Sequence, residues 1–207
     1  YGMTVFFLEK YDRKHLAIVM QQNDITIASL VTLMLRDLLA ELGVKPFPKR
    51  VRCILLGGGG VPAPLLKEVA AKKVPLFLSY GMTETSSQIV TLSKAYIHEK
   101  LGSAGKPLLT ASVKIVNADE DGIGEIAVKG PMVFHGYYKQ PEVNKQVFTD
   151  GWFHTGDLGY LDEDGFLYVV DRRKDLIISG GENIYPSEIE NVLLAHPKVL
   201  DVAVVAK

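Results

Sequence analysis

The sequence predicts an α/β fold: a parallel strand–helix–strand sheet, then a smaller and mainly β region, then the start of an α+β unit. Two observations carry this. Residues 51–56 (Val-Arg-Cys-Ile-Leu-Leu) form an apolar run of strand length, which the glycines at 57–60 break; residues 64–72 read as a helix and residues 74–79 as the next strand. After about Leu101 the texture changes to short β-type runs set between Gly and Asp turns.

The elements follow in order. Residues 4–8 are a short apolar strand candidate. Ile27, Leu30, Val31, Met34, Leu38 and Leu42 recur at helical spacing, and Gly43 with Pro46 ends that helix. Strand 51–56, helix 64–72 and strand 74–79 are joined by short loops, as in a parallel crossover unit. Residues 112–116, 124–129 and 166–170 are the β candidates of the second region. Residues 186–196 read as a helix with Ile189, Val192 and Leu193 on one face, Pro186 in its first turn and Pro197 past its end. A last strand is expected over residues 199–205.

Bulk properties exclude several classes. With 23 basic and 24 acidic residues the net charge is −1, which leaves no electrostatic footprint for nucleic acid or an anionic membrane. No apolar run reaches the roughly 18–20 residues of a membrane span. The single cysteine, Cys53, forms no internal disulfide and is expected as a small buried side chain. This usage suits a reducing cytoplasm. His154 has no second histidine at metal-ligand spacing and reads as structural, and Trp152 as core packing. Residues 117–122 (Asn-Ala-Asp-Glu-Asp-Gly) open like a calcium loop, but Val128 stands where that loop needs a bidentate Glu.

Four groups could carry chemistry. Gly58, Gly59 and Gly60 follow a strand end, where missing Cβ atoms let backbone approach a ligand; alone they read first as a flexible turn. The next strand ends at Tyr80, and parallel strands bring their C-terminal ends to one sheet edge, where ligands bind in open α/β sheets. Thr83 can hydrogen-bond a phosphate and Glu84 can hold Mg²⁺, or the pair can simply open a helix. Asp157 can accept from both hydroxyls of a ribose, or it is a turn aspartate after Gly156. Lys174 and Asp175, without further context, are a solvated charge pair.

Three ordered motifs decide between these alternatives: Tyr-Gly-Met-Thr-Glu-Thr at 80–85, Gly-Trp-Phe-His-Thr-Gly-Asp at 151–157, and Asp-Arg-Arg-Lys-Asp-Leu-Ile-Ile-Ser-Gly-Gly-Glu-Asn-Ile-Tyr-Pro-Ser-Glu-Ile-Glu at 171–190. Together they resemble the adenylate-forming superfamily of acyl-CoA synthetases, adenylation domains and luciferases. The resemblance implies ATP-dependent activation of a small carboxylic acid through an acyl-adenylate, with Mg²⁺ and coenzyme A as further ligands. It implies that Gly58, Gly59, Gly60, Tyr80, Gly81 and Met82 border the nucleotide and acyl pockets, with the Tyr80 ring against adenine. It gives Thr83 the phosphate, Glu84 the Mg²⁺, Asp157 and Arg172 the ribose. Lys174 becomes a hinge, and Gly181 lets a pantetheine arm pass. The implied domains are residues 1–173, the C-terminal portion of a large AMP-binding domain (1–100 α/β, 101–173 mainly β), and residues 174–207, the start of a mobile C-terminal domain.

Residues 80–93 with 100–108 further resemble a branch of the superfamily that joins an aryl keto-acid to CoA in menaquinone synthesis. The chain departs from that branch at Gly60-Val61, where Pro-Ala is expected. The superfamily's phosphate loop has no match in residues 1–10, and Lys207 does not match its catalytic lysine. The chain is therefore expected to be an internal piece of a longer enzyme and inactive alone. Fatty- or aryl-acid–CoA ligation, and a non-catalytic nucleotide-binding or interaction role, stay open.

Overall fold

Parallel pairing between three apolar runs organises the first half of the molecule. The computed structural model describes residues 3–58, 61–180, 182–196, 198–199 and 202–206. Helix α1 (Arg13–Gln22) starts at Asp12, whose carboxylate accepts the His15 backbone N–H, and buries Leu16, Ala17, Val19 and Met20. It has no counterpart among the sequence-predicted elements. Strand β1 (Ile27–Val31) and helix α2 (Thr32–Leu42) occupy the stretch whose spacing predicted one helix. Apolar residues there fit both periods, and parallel pairing of Ile27–Val31 with β2 (Cys53–Gly57) settles the first part as strand. Helix α3 (Ala63–Ala71) and strand β3 (Leu76–Gly81), parallel to β2, complete the predicted crossover.

The first sheet has the order β1-β2-β3-β4-β5, closed by antiparallel β4 (Gln88–Leu92) and the short β5 (Lys106–Pro107). Leu35, Leu38, Leu39, Ile54 and Leu76 are wholly buried in its core. The second sheet is antiparallel, built from β6 (Ser112–Val116), β7 (Gly124–Lys129), β8 (Phe148–Thr149), β9 (Trp152–Leu161) and β10 (Leu167–Arg172). Helix α4 (Pro141–Val147) leads into β8. The spans of β6 and β7 match the sequence expectation, whereas β9 was not foreseen.

Two seams join the sheets. Ile89 and Val90 of β4 pack with Ile126, Val128, Phe153 and Leu167 in the second core. The backbone N–H of Ala104 donates to the Leu167 carbonyl, and the N–H of Leu167 donates to the Gly105 carbonyl, each at 2.8 Å. The chain ends with a hairpin, β11 (Ile177–Ser179) and β12 (Glu182–Ile184), and helix α5 (Pro186–Leu194).

Two strand expectations fail. Residues 3–8 are irregular, with Val5, Phe6 and Phe7 exposed, and they pair with no described strand. Residues 202–206 are likewise not in a strand. Cys53 is half-buried rather than buried, and burial raises its thiol pKa. Gly59, Gly60, Gly181 and Pro197 lie outside the described residues.

Candidate functional site

β2 and β3 end side by side at Gly57 and Gly81, so Gly58 and the Tyr80–Glu84 turn share one edge of the first sheet. Gly81 is required by packing: a Cβ there would lie 2.2 Å from the Ser87 carbonyl oxygen and 2.6 Å from the Gln88 Cα. Both are backbone atoms, so no side-chain movement could relieve the clash. The turn is held from inside by Thr85, wholly buried, whose hydroxyl accepts the Met82 N–H at 3.0 Å and donates to the Ser87 carbonyl at 2.7 Å. That knot aims Tyr80 and Glu84 outward from the edge.

The second sheet faces them. β9 passes through Thr155-Gly156-Asp157, with Gly156 at φ +75°, a conformation that favours glycine. Asp157 pairs in register with Arg172 of β10. The Tyr80 hydroxyl donates to Asp157 Oδ2 at 2.8 Å, and Arg172 Nε lies 3.8 Å from Oδ1. One carboxylate therefore ties the two sheets together across the gap. Burial raises the Asp157 pKa; Tyr80 and Arg172 pull it back and Glu84 adds to it. Burial also raises the Tyr80 pKa, with the Asp157 charge second, so the phenol stays neutral.

Between the sheets lies a cleft of about 1260 Å³. Among the sequence-predicted residues it is lined by Gly58, Tyr80, Gly81, Met82, Glu84, Asp157, Arg172 and Lys174. Three ordered motifs up to 92 residues apart (Tyr80 to Arg172) thus converge on one cavity. Thr83 is exposed in the turn beside it and is not among its lining residues. Lys174 is exposed, between β10 and β11.

Two lining residues were not singled out from the sequence. Tyr137 donates its hydroxyl to Glu84 Oε1 at 2.8 Å, and burial followed by that carboxylate raises its pKa. Nothing in Gly136-Tyr137-Tyr138 announces this. Glu125, 9% exposed, is the one charged residue in the buried part of β7, Gly124 to Val128, and a charge beside the apolar Ile-Ala-Val run was a readable signal. His154, read as structural, lies against Glu125. Trp152 is half-buried, with the ammonium groups of Lys114 and Lys129 over its ring. Among the described residues no three His, Cys, Asp or Glu side chains form a metal cluster. Asp119 uses its carboxylate on the N–H groups of Asp121 and Ile123, closing the turn that resembled a calcium loop.

A nucleotide-sized cleft between an α/β sheet edge and a β subdomain, lined by these motifs, defines a class. Residues 1–138 match the family described as AMP-binding enzyme, and the chain belongs to that family. It is 56% identical to 2-succinylbenzoate–CoA ligase of Oceanobacillus iheyensis over 196 residues, 94% of this chain and 41% of that protein. The o-succinylbenzoate CoA synthetase of Bacillus subtilis, solved with the acyl-adenylate intermediate OSB-AMP, superposes with a TM-score of 0.94 at 50% identity. That match covers 100% of this chain and 43% of the solved one. The same enzyme solved with ATP and magnesium ion gives a TM-score of 0.93, covering 44% of its length. The chain thus spans less than half the length of the relatives it matches.

Proposed function

We propose that this chain supplies the nucleotide side of an ATP-dependent acid–CoA ligase, with 2-succinylbenzoate as the acid. The observation that carries the reading is the joining of Tyr80, Glu84, Asp157 and Arg172 in one cleft by two sheets. Similarity to 2-succinylbenzoate–CoA ligases at 50% identity or above supports the choice of acid. A fatty acyl-CoA synthetase of Mycobacterium tuberculosis matches at 32% identity, which disfavours a fatty acid.

In this reading the substrate carboxylate attacks the α-phosphorus of ATP, giving acyl-AMP and releasing pyrophosphate. The CoA thiol then attacks the acyl carbon, giving the thioester and releasing AMP. The residues act by positioning and charge stabilisation rather than covalent chemistry. Asp157 accepts from the ribose hydroxyls, exchanging its Tyr80 contact for ligand contacts while Arg172 flanks it. The Tyr80 ring packs on the base. Thr83 donates to the α-phosphate, and the exposure of its turn leaves it free to do so. Glu84 would fit Mg²⁺, an ion held by one or two protein carboxylates plus substrate phosphates, because it lines the cleft with its carboxylate steadied by Tyr137. When bound, Mg²⁺ neutralises charge developing on the phosphates.

Residues 1–173 then form the nucleotide-binding portion and residues 174–207 begin a unit that turns about Lys174, with Gly181 beside the pantetheine path. Gly58, Gly59 and Gly60 border the adenine side, and Gly81 with Met82 the acid. The reaction is assigned to the cytoplasm.

The test is pyrophosphate release by the protein at its full natural length, with a panel of acids. Release that depends on 2-succinylbenzoate is expected. Turnover of fatty acids alone would reject the acid but keep the chemistry, and AMP binding with no turnover of any acid would leave a non-catalytic nucleotide-binding role.

A further inference from the structure

Glu125 grips both strands that carry the Asp157–Arg172 pair. Its Oε1 accepts the Gly156 N–H at 3.2 Å; its Oε2 lies 3.2 Å from Nη1 of Arg173 and 3.2 Å from Nδ1 of His154. A carboxylate only accepts, so His154 presents Nδ1–H in that contact. Gly156 precedes Asp157 on β9, and Arg173 follows Arg172 off the end of β10. Gly156 is also held from its other side, because its carbonyl accepts the Arg173 backbone N–H at 2.8 Å. The register of β7 on β9 shifts between Glu125 and Ala127, and this bulge brings the carboxylate level with the Gly156 turn. Thr155 completes the frame: its hydroxyl donates to the Ile126 carbonyl and accepts the Asp157 N–H.

Such an arrangement is costly unless it has a use. A carboxylate 9% exposed sits within a strand whose other residues from Gly124 to Val128 are also buried, and an apolar residue there would spare its desolvation. Its three partners all belong to the segments that flank Asp157 and Arg172. The nearby anionic ligand of the proposed reaction would be repelled by an unpaired carboxylate, and Arg173 offsets that charge.

We infer that Glu125 is a positioning residue: its carboxylate locks the Gly156 turn to Arg173, so that Asp157 and Arg172 meet the nucleoside together. This rests on the nucleotide reading proposed above.

The test is AMP titration by calorimetry on the protein at full natural length, for wild type, Glu125→Ala, Glu125→Gln and Asp157→Ala. Loss of a buried charge-assisted frame should weaken AMP about tenfold in Glu125→Ala at unchanged stoichiometry. The Michaelis constant for ATP should rise while that for the acid holds. Glu125→Gln keeps an acceptor for Gly156 but loses the ion pair, so it should fall between wild type and Glu125→Ala; it carries the test if the alanine variant does not fold. A purely structural role would lower the fraction of binding-competent protein without changing affinity. Affinities of both variants within about twofold of wild type, with Asp157→Ala inactive in binding, would overturn the inference and leave the nucleotide reading standing. Wild type that binds no AMP would overturn both.

Discussion

The two sheets meet at one cleft but reach it by different means. The first delivers its residues at strand ends: β2 and β3 are parallel, so Gly58 and Tyr80–Glu84 arrive together at one edge. The second delivers Asp157 and Arg172 from within an antiparallel ladder, where side chains alternate between faces and a one-residue slip would turn each away. In the first sheet the parallel pairing fixes the edge, and the local demand falls on the turn after β3, at Gly81. The second depends on its bulges, at Glu125/Ala127 and Val169/Asp171, to set which residues face the cleft.

The sharpest way to break this comparison is to remove the carboxylate that bridges the two sheets across the cleft. Asp157→Ala should lower AMP affinity by about a hundredfold or more, because two charge-assisted hydrogen bonds at about 1.5–3 kcal/mol each are lost. Asp157→Asn should bind nearly as poorly yet leave the fold as stable or more so at neutral pH. The sign follows from the raised pKa: the ionised carboxylate costs the fold above its folded-state pKa, and that cost vanishes below its unfolded value. Thermal melts beside AMP titrations would check both halves; an Asn variant that melts far below wild type contradicts the expectation.

Leu39→Ala tests the other region. Leu39 is wholly buried on α2, against the first sheet and away from the cleft. Its truncation should cost about 2–5 kcal/mol of stability. Below the melting transition, AMP affinity should stay close to wild type, since strand-end placement survives a loosened core. Denaturant unfolding with parallel titration separates the two effects, and a matching drop in affinity would show that the parallel sheet is as register-sensitive as its neighbour.

The same difference explains what the sequence made legible. Strands β2, β3, β6 and β7 were readable because each is a distinct apolar or alternating run of strand length. The Tyr80–Glu84 turn and Asp157 were readable because their motifs are contiguous and ordered. Strand β9 was not: its Gly156, Asp157 and Gly159 break the β pattern, and only pairing on both sides with β7 and β10 makes it a strand. β1 was hidden inside a helical period until β2 claimed it. Tyr137 reaches Glu84 across 53 positions, a contact fixed by the packing of Phe134, Phe148 and Phe153 around the 134–137 turn and invisible in the local sequence.

A smaller effect sharpens the junction itself. AMP affinity should fall on acidification as Asp157 takes up a proton, because a protonated carboxyl no longer accepts from both ribose hydroxyls at full strength. Since the Asp157 pKa lies above its ordinary value of 3.8, this loss should begin at a higher pH than for a solvent-exposed aspartate. The Tyr80 hydroxyl holds that pKa down by donating to the ionised form. Tyr80→Phe keeps the ring that packs on the base and deletes only this donor. At neutral pH the variant should bind AMP within a few-fold of wild type, because Asp157 exchanges its Tyr80 contact for ligand contacts on binding. Its acid midpoint, read by titrations between about pH 8 and pH 4, should move upward. An unmoved midpoint would mean that the bond between Tyr80 and Asp157 does not control the carboxylate, and that the two sheets meet at this cleft without acting on each other.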